Sequence, residues 1–438
     1  MPALTKDQIK TLATAVNPIN GIVGGVRTLM APDHSNPWFI EVSSVGRPKY
    51  FAPDVYDETP EPASISGAGG SMDQEQARGL AIVEGIERYA SCVFDPAEVE
   101  VLTWRDAASR GAFHWSEFPR LSASEVSHSA CPISPPNPDL PLRWVKATDL
   151  STGERSLLPL VMTHLHVRYR LPGERIWLPI STGVAAHSSD SAAIASGLIE
   201  VIERDAITLV WNHELPLRSI DPSGEPAVVK VLEMARRGGR EIMLFNASLD
   251  HQVPIVYCVD RCHSSQLQTV VSCAADLSFS SAALKALREA TSCRVALENT
   301  PPRTNEVDDF IGVFDGAVYM GQAEQAGAFG FLEGGGEQPF EPDWFRSIGT
   351  PGSQLIDSLV ADVRERTGSS VFATELTTVE CRHLGLVVWR VIAPGLQPLS
   401  FSPRAQYREH PRNSIGPRNA GFAAKSEGNQ NVHPQPFA

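Results

Sequence analysis

The feature of this sequence that most restricts its fold is an internal repeat with a spacing of 116 residues. At this spacing five residues of one segment match five of another: Glu84, Ile86, Glu87, Arg88 and Ala90 match Glu200, Ile202, Glu203, Arg204 and Ala206. Upstream, Gly67 matches Gly183 and Ala77 matches Ala193. A weaker third copy places Ala282 seven residues before Glu289, as Ala77 stands seven before Glu84. The chain therefore uses three related helices.

The segments around these helices predict a mixed architecture. Residues 75–93 and 191–211 have helical periodicity, whereas four short runs are rich in β-branched residues, as strands are (156–167, 252–262, 268–277 and 384–393). Alternation of the two types predicts an α/β or α+β fold with internally repeated acidic helices.

The charge balance excludes some classes of partner. The chain has 37 basic and 51 acidic residues, a formal net charge of −14. This balance argues against a nucleic-acid or anionic-lipid footprint over the whole surface. The N-terminus does not resemble a secretory signal, and no apolar run approaches the roughly 18 residues of a membrane span. We therefore expect a cytoplasmic protein with no nucleic-acid or membrane partner.

The seven cysteines are scattered, so we expect reduced thiols. Cys258, Cys262 and His263 form the closest group, but a zinc site needs a fourth ligand that no second cluster supplies. Buried, apolar thiols are the better interpretation.

Two proline-rich stretches suggest the organisation of the chain. Closely spaced prolines at 132–143 predict a surface connection and a lobe boundary, because they disfavour both helices and central strands. Residues 416–438 predict a flexible, proline-containing tail. Residues 1–415 are then the catalytic domain.

Each repeated helix presents two carboxylates and a guanidinium on one face, because residues three and four apart are neighbours on a helix. Four facing carboxylates repel one another unless cations or protons lie between them, and Mg²⁺ prefers such oxygen ligands. Arg88 and Arg204 would then hold phosphate oxygens. An exposed, salt-bridged helix face is the alternative, but the apolar surroundings of both acidic segments favour a coordinated site.

Glycine-containing turns are expected before both helices. Residues 65–71 (ISGAGGS) and 181–187 (STGVAAH) have small side chains that let backbone N–H groups approach a ligand. A Walker A motif is absent, which argues against a conventional P-loop ATPase.

In three ordered motifs the chain resembles the YcaO family. The first helix reads LAIVEGIER at 80–88, the second SGLIEVIERD at 196–205, and the third ALREATSCR at 286–294. The sequence departs from the usual family residues at Leu80, Ala68, Thr182, His187 and Ser292. We interpret His187, which stands where the family residue is not ionisable, as structural and not as a proton shuttle.

The resemblance implies an ATP-binding fold with Mg²⁺. Transferred to this sequence, the metal ligands are Glu84, Glu87, Glu200 and Glu203. The residues that contact the nucleotide or order the acidic groups are Ser196, Arg88, Arg204, Glu289 and Arg294.

The family's activity is ATP-dependent modification of a peptide amide. The C-terminus HPQPFA at 433–438 resembles the proline-rich end of azoline-forming cyclodehydratases, which reaches the active site. The resemblance therefore implies roles for Pro434, Pro436 and Ala438 in catalysis, and thiazoline or oxazoline formation from Cys, Ser or Thr. Two alternatives remain open: a YcaO enzyme that uses an external nucleophile to form a thioamide or amidine, and a non-catalytic peptide-binding scaffold.

The resemblance also implies partners. About 60 residues precede the first motif, too few for an additional leader-recognition domain, so we expect a separate E1-like or ThiF-like leader-binding protein beside the precursor peptide. The sequence leaves open whether a flavin-dependent dehydrogenase then oxidises the azolines, and whether the chain is a monomer or a homodimer.

Overall fold

A computed structural model describes residues 3–47, 51–52, 65–298, 300–339 and 352–437 of the chain. The strands in these ranges are β1 (Gly25–Met30), β2 (Phe39–Gly46), β3 (Ile65–Ser71), β4 (Glu100–Thr103), β5 (Pro141–Asp149), β6 (Arg155–Pro159), β7 (Val184–His187), β8 (Ser219–Asp221), β9 (Glu241–Asn246), β10 (Ile255–Arg261), β11 (Thr269–Ala275), β12 (Glu337–Pro339), β13 (Phe372–Glu375) and β14 (Val387–Ile392).

The α-helices are α1 (Lys6–Ala13), α2 (Gln74–Ala90), α3 (Trp104–Ala108), α4 (Ala123–Ser127), α5 (Leu160–Thr163), α6 (Asp190–His213), α7 (Pro226–Arg237), α8 (Phe279–Glu298), α9 (Val313–Met320), α10 (Ser353–Thr367), α11 (Val379–His383) and α12 (Pro411–Asn419). Short 3₁₀ helices cover Pro96–Glu98, Trp115–Glu117, Pro222–Gly224, Val307–Asp309, Ala323–Gly335 and Glu427–Asn429.

Within the described ranges the strands form three sheets. The first has the antiparallel order β1-β2-β3. The second has the order β4-β5-β13-β14-β7, with β6 paired to β5, and the third has the order β11-β10-β9-β8-β12. The strands β3, β7 and β11 therefore each lie at an edge of a sheet, and each precedes one of the repeated helices.

The three repeated helices and the three edge strands form a closed ring. Helix α2 packs against β3 and β7, α6 packs against β7 and β11, and α8 packs against β11 and β3. Apolar side chains hold the contacts of α6. On α6, for example, Leu198 and Ile202 belong to one buried cluster with Val271 of the third sheet and Val391 of the second. The mixed α/β fold with repeated acidic helices, predicted from the sequence, is confirmed.

The glycine-rich segment before α2 differs from the predicted turn, because residues 65–71 form the strand β3. The glycines permit close packing of the helix on this strand. A Cβ atom at Gly67 would lie 2.3 Å from the backbone nitrogen of Gly85, and one at Gly69 would lie 2.1 Å from the carbonyl oxygen of Ala77. Before α6 the predicted turn is present only at residues 182–183, where Gly183 has a φ of +84°, because residues 184–187 form β7.

Three of the four predicted strand segments contain the strands β10, β11 and β14, as expected. The fourth, residues 156–167, continues β6 only to Pro159 and then forms α5. In the proline-rich segment 132–143, residues 132–140 contain no helix or strand, but Pro141 begins β5, which lies inside the second sheet between β4 and β13.

The C-terminal segment packs against the body of the domain, whereas the sequence predicts a flexible tail. Helix α12 is followed by residues 420–437, and most of residues 430–437 are buried. The Phe437 ring packs against Tyr257 of β10 at a centroid distance of 5.3 Å. The indole N–H of Trp211 on α6 donates to the carbonyl oxygen of His433 at 3.2 Å. Burial of the tail's apolar side chains and these hydrogen bonds account for the difference.

Candidate functional site

The glutamates of α2 accept hydrogen bonds from two different edge strands. The backbone N–H of Ala68 on β3 donates to Glu84 at 3.1 Å, and that of Ala186 on β7 donates to Glu87 at 3.0 Å. The outer side of an edge strand has N–H groups that no neighbouring strand pairs. These carboxylates therefore satisfy exposed strand N–H groups and are held in place by them.

The glutamates of α6 repeat this arrangement one unit further along. The N–H of Gly183, directly before β7, donates to Glu200 at 3.0 Å, and that of Ala275 on β11 donates to Glu203 at 2.6 Å. In both helices the first glutamate bonds its own strand, whereas the second bonds the strand of the next unit. The structure thus brings the four predicted carboxylates onto one ring of edge strands.

Two edges of the ring carry carboxylates from two helices. Glu87 and Glu200 flank β7, and burial raises the pKa of Glu87 to about 8, with the charges of Glu84 and Glu200 adding to the rise. Burial likewise raises the pKa of Glu203, which bonds β11, to about 7, and the nearby charge of Glu289 on α8 adds to that rise. Carboxylates in this environment gain from a bound cation.

The two predicted arginines lie among these carboxylates. Arg88 bonds Glu84 at 3.1 Å, and Arg204 lies 3.5 Å from Glu200 and 3.3 Å from Glu203. The Nη1 atom of Arg88 is buried and has no hydrogen-bond partner among the described residues, although an oxygen of Glu87 lies 3.9 Å away. An unused guanidinium N–H beside ionisable carboxylates fits an arriving phosphate oxygen.

A polar cavity of about 470 Å³ opens beside the acidic ring. It lies between the ends of β3 and β11 and the N-terminal halves of the three repeated helices, and its lining includes Leu80, Ser196, Lys285 and Arg288. Leu80, Ser196 and Lys285 each stand one helical turn before a glutamate of the ring (Glu84, Glu200 and Glu289). The volume is in the range of small-molecule sites.

The carboxylates fit Mg²⁺ that arrives with a nucleotide better than a metal held by protein alone. In the described part of the chain, no three carboxylate, imidazole or thiol side chains come together as a metal site. Mg²⁺ is commonly bound through one or two carboxylates and completes its shell with phosphate oxygens and water. Glu87 with Glu200, and Glu203 with Glu289, offer two such carboxylate pairs.

Arg294 lies elsewhere than the sequence resemblance implies. Its guanidinium is buried against β10 and donates to the side chain of Asp260 at 2.9 Å, to the backbone oxygen of Asp260 and to that of Leu267. Arg294 does not line the 470 Å³ cavity. Because these partners use its Nε, Nη1 and Nη2 atoms, the structure assigns this arginine to packing of α8 on the third sheet, and its contact with a nucleotide stays a prediction.

The proline-rich end approaches the acidic ring from the side of the third sheet. Pro434 and Pro436 are buried, and Phe437 contacts Tyr257, which is paired across the strands with Cys273 of β11. Of the described residues 430–437, none lines the 470 Å³ cavity. Ala438 lies outside the described residues, so its predicted role stays a prediction.

Sequence reasoning did not identify Lys285, although a signal exists. Its ammonium lies 4.0 Å from Glu203 and 3.4 Å from the carbonyl oxygen of Ala275. Lys285 precedes Glu289 by four residues in the third copy, so alignment of the cavity-facing positions of the three copies would have identified it. His187, interpreted as structural, accepts a bond from the N–H of Ser188 at 2.9 Å.

The cysteine prediction agrees with the described residues, where all seven thiols are free. Burial raises the pKa of Cys92, Cys258 and Cys293 to about 12. None of the helices in the described ranges has the length and apolar character that crossing a membrane requires.

Comparison with protein families gives one match, to a profile described as YcaO cyclodehydratase, ATP- and Mg²⁺-binding, over residues 68–397. A relative from Rhizobium leguminosarum bv. trifolii, an uncharacterized protein in the tfuA 3' region, is 26% identical over 280 residues. The match covers 59% of this chain and 61% of the relative.

Solved structures share the fold. A heterocyclase in complex with substrate and cofactor superposes with a TM-score of 0.80 at 18% identity, covering 99% of this chain and 57% of that one. The YcaO protein of Methanopyrus kandleri bound with AMPPCP and Mg²⁺ gives 0.62 at 18% identity, with coverage of 90% and 91%. The E. coli microcin synthetase McbBCD complex with pro-MccB17 bound gives 0.62 at 14% identity, with coverage of 97% and 99%.

Proposed function

This chain belongs to the YcaO family, whose profile covers residues 68–397, and from that premise we propose that it is an ATP-dependent cyclodehydratase that forms thiazoline or oxazoline rings in a ribosomally made peptide. The family binds ATP and Mg²⁺. The finer assignment, to ring formation from Cys, Ser or Thr of the peptide, is the proposal.

The observation that carries the proposal is the ring of glutamates beside the 470 Å³ cavity. A nucleotide in this cavity would lie between the N-terminal halves of α2, α6 and α8, with Ser196, Lys285 and Arg288 as polar groups of its wall. Its phosphates would meet the carboxylates one turn further along each helix. Mg²⁺, when bound there, neutralises phosphate charge and steadies the charge that develops during transfer.

The arginines and lysine balance this acidic ring. Arg88 and Arg204 hold the carboxylates in place, and the free Nη1 of Arg88 can donate to a phosphate oxygen. Lys285 places a further positive charge beside Glu203. Glu87 and Glu203, with pKa values raised to about 8 and 7, become fully ionised once a cation lies against them.

The proposed chemistry replaces a poor leaving group by a good one. The thiol or hydroxyl of the peptide adds to the preceding amide carbon and loses its proton, which leaves an oxyanion on the former carbonyl oxygen. That oxygen bonds the γ-phosphorus of ATP, and ADP departs. The carbon–oxygen bond then breaks, phosphate leaves with the oxygen, and loss of the amide proton gives the C=N bond of the ring.

The resemblance of the proline-rich end to that of azoline-forming cyclodehydratases favours attack by a side chain of the peptide itself. The end of the tail packs against Tyr257 of β10, which pairs with Cys273 of β11. Two residues further along β11, the N–H of Ala275 donates to Glu203. Buried prolines lose little conformational freedom on docking. We therefore keep Pro434, Pro436 and Ala438 as candidates for ordering the peptide at the acidic ring.

We propose a precursor peptide as substrate and a separate E1-like or ThiF-like protein as the leader-binding partner. The E. coli relative in the fold comparison is a complex that has its peptide bound. A flavin-dependent azoline dehydrogenase remains a candidate for a later step, and a homodimer remains a candidate assembly.

Calorimetry with AMPPCP and Mg²⁺ tests the nucleotide site without any peptide. Wild-type protein should bind the pair, whereas Glu203→Gln should bind at least about tenfold more weakly, because it removes a buried charge that faces the cation. The control is Glu233→Gln on α7, an exposed glutamate. Equal binding by Glu203→Gln and wild type would contradict the metal-site assignment.

Mass spectrometry tests the reaction. A candidate precursor peptide, incubated with this protein, its leader-binding partner, Mg²⁺ and ATP, should lose one water for each phosphate released. Glu203→Gln should leave the peptide unmodified, and Glu233→Gln should act as wild type. Exchange of oxygen for sulfur or nitrogen when sulfide or an amine is supplied would instead assign an external nucleophile. Binding of AMPPCP with no peptide change in either assay would contradict the cyclodehydratase proposal.

A further inference from the structure

Arg390 on β14 is a buried cation for which the described part of the chain offers no acidic partner. It is 1% exposed, its Nη1 donates to the carbonyl oxygen of Ile180 at 2.7 Å, and its Nε has no hydrogen-bond partner. Among the residues that the structure describes, none places a carboxylate within 4.0 Å of this guanidinium.

The other buried arginines of the described chain are different. Arg143 lies 2.6 Å from Glu174, Arg240 and Arg294 lie 2.6 and 2.9 Å from Asp260, and Arg412 lies 2.8 Å from Asp205 (side-chain nitrogen to carboxylate oxygen). An arginine cannot escape the cost of burial by losing its proton, so a buried one is normally paired. Arg390 is the exception in this set, and a bound anion would supply the missing partner.

The position of Arg390 connects it with the acidic ring. The next residue, Val391, donates its N–H to the carbonyl oxygen of Gly183 at 2.8 Å, and the N–H of Gly183 donates to Glu200 at 3.0 Å. Burial lowers the pKa of Arg390 to about 10, and the charge of Arg88 adds to the lowering while Glu200 and Glu87 oppose it. The guanidinium is thus close enough for the charges of the acidic ring to shift its pKa, but it forms no ion pair with the ring glutamates.

Arg390 lines a second, smaller cavity of about 40 Å³, which Arg204 also lines. Val201 and Arg204 of α6 face this small cavity, whereas Ser196 and Ile199 face the 470 Å³ cavity. At 100° per residue these two flanks of α6 are about 140° apart, with Glu200 between them. The small cavity therefore adjoins the acidic ring on the side away from the proposed nucleotide.

We propose that Arg390 and the small cavity bind a phosphate ion, at a site separate from the nucleotide cavity. Arg390 brings to this cavity a buried guanidinium whose Nε has no partner among the described residues, and such a group suits an oxyanion, whose oxygens accept charge-assisted hydrogen bonds. By this measure of volume a water needs about 10–15 Å³, so the cavity has room for roughly three waters or one small anion, but not for a nucleotide.

The source of the phosphate rests on the proposed function. The proposed reaction releases one phosphate for each thiazoline or oxazoline formed. This phosphate leaves from the peptide, whereas ADP leaves from the nucleotide site. A site across Glu200 from the nucleotide would hold that ion after the carbon–oxygen bond breaks, and inorganic phosphate would therefore inhibit the enzyme without competing with ATP.

The test is calorimetric titration of inorganic phosphate into protein already saturated with Mg²⁺ and AMPPCP. The analogue fills all three phosphate positions of the nucleotide, so further binding reports a second site. Wild type should bind one phosphate, and Arg390→Met should bind it at least about tenfold more weakly, as expected when a hydrogen bond from a charged group is lost. Arg382→Met, at an exposed arginine that pairs with Glu375, should match wild type.

Each outcome decides the proposal. Binding of AMPPCP by Arg390→Met with wild-type affinity shows that the variant is folded, and Arg390→Lys, which retains the charge, should retain part of the phosphate affinity. If AMPPCP-saturated wild type does not bind phosphate, the proposed site is refuted, whether or not the variants fold. If Arg390→Met binds phosphate as tightly as wild type, the site is refuted as well. Ring formation without phosphate binding would refute the site alone, whereas Arg390-dependent phosphate binding without ring formation would refute the cyclodehydratase proposal alone.

Discussion

Ionisation of the buried Glu87 carboxyl group should lower the free energy of unfolding of the nucleotide-free protein as the pH rises. Replacement of Glu87 by glutamine should remove this loss. The folded chain holds the Glu87 proton to a pKa of about 8, because burial outweighs the attraction of Arg88, whereas the unfolded chain releases it near 4.5. The resulting contribution to stability is full below about pH 4.5 and is lost as the pH rises to about 8.

The magnitude follows from the same numbers. At about 1.4 kcal/mol for each pH unit between the two values, the upper bound is roughly 5 kcal/mol. The Glu87 side chain is 14% exposed, so solvent reduces this figure. Glutamine has nearly the same shape, keeps an oxygen for the N–H of Ala186 and has no proton to lose. The free energy of unfolding of Glu87→Gln minus that of wild type should therefore rise by about 2–4 kcal/mol between pH 5 and pH 9.

Urea unfolding of nucleotide-free protein at a series of pH values measures this difference. The same titration with Mg²⁺ and AMPPCP should narrow this difference at pH 8, because a cation binds the ionised carboxylate. Saturation at 100 times the dissociation constant would stabilise wild type by about 2.7 kcal/mol, and Glu87→Gln by less. A difference that stays constant with pH, or a variant that AMPPCP stabilises as much as wild type, would refute the reasoning.

Three further variants test the packing around the site. Gly67→Ala should lose AMPPCP binding and about 1–3 kcal/mol of stability, because its Cβ would meet the backbone of α2, whereas Gly25→Ala, with open space around it, should stay within about 0.5 kcal/mol of wild type in urea unfolding. Arg412→Met should lose about 3 kcal/mol in the same assay, since the buried carboxylate of Asp205 would lose its arginine partner and keep only His251 and the N–H of Gln397. Phe437→Ala should release the tail to proteolysis while AMPPCP binding stays at the wild-type level; unchanged proteolysis would argue against the packing of the tail.

The acidic helices could be predicted because their information is local and repeated. Glu84 and Glu87 share a face by helical spacing alone. The second copy at Glu200 and Glu203 indicates that this face forms a site, which a single motif would not indicate. Helix α2 and helix α6 begin and end close to the segments that the periodicity indicates. The prediction that a nucleotide binds depends on the family resemblance, because no residue spacing in the sequence indicates a nucleotide.

The partners of these residues could not be predicted, because they depend on distant packing. Arg412 pairs with Asp205 across 207 residues, and nothing near either one indicates the other. Arg294 matches a family motif, yet Asp260, a strand residue in an unremarked position, takes its guanidinium. In the sequence, Arg390 is one polar residue in an apolar strand. Only the structure, in which it is buried with no acidic partner among the described residues, suggests the proposed anion site.

The ring arrangement explains why the acidic site needs all three copies. In α2 and in α6 the second glutamate bonds the edge strand of the next unit, so Glu87 is positioned by β7 and Glu203 by β11. Helix α8 closes the ring against β3, but the position of its second glutamate is Ser292. The β3 edge therefore keeps Glu84 alone, and paired carboxylates remain at β7 and β11. Under the proposed function this asymmetry offers two carboxylate pairs to cations, at β7 and at β11, whereas the β3 side faces the 470 Å³ cavity.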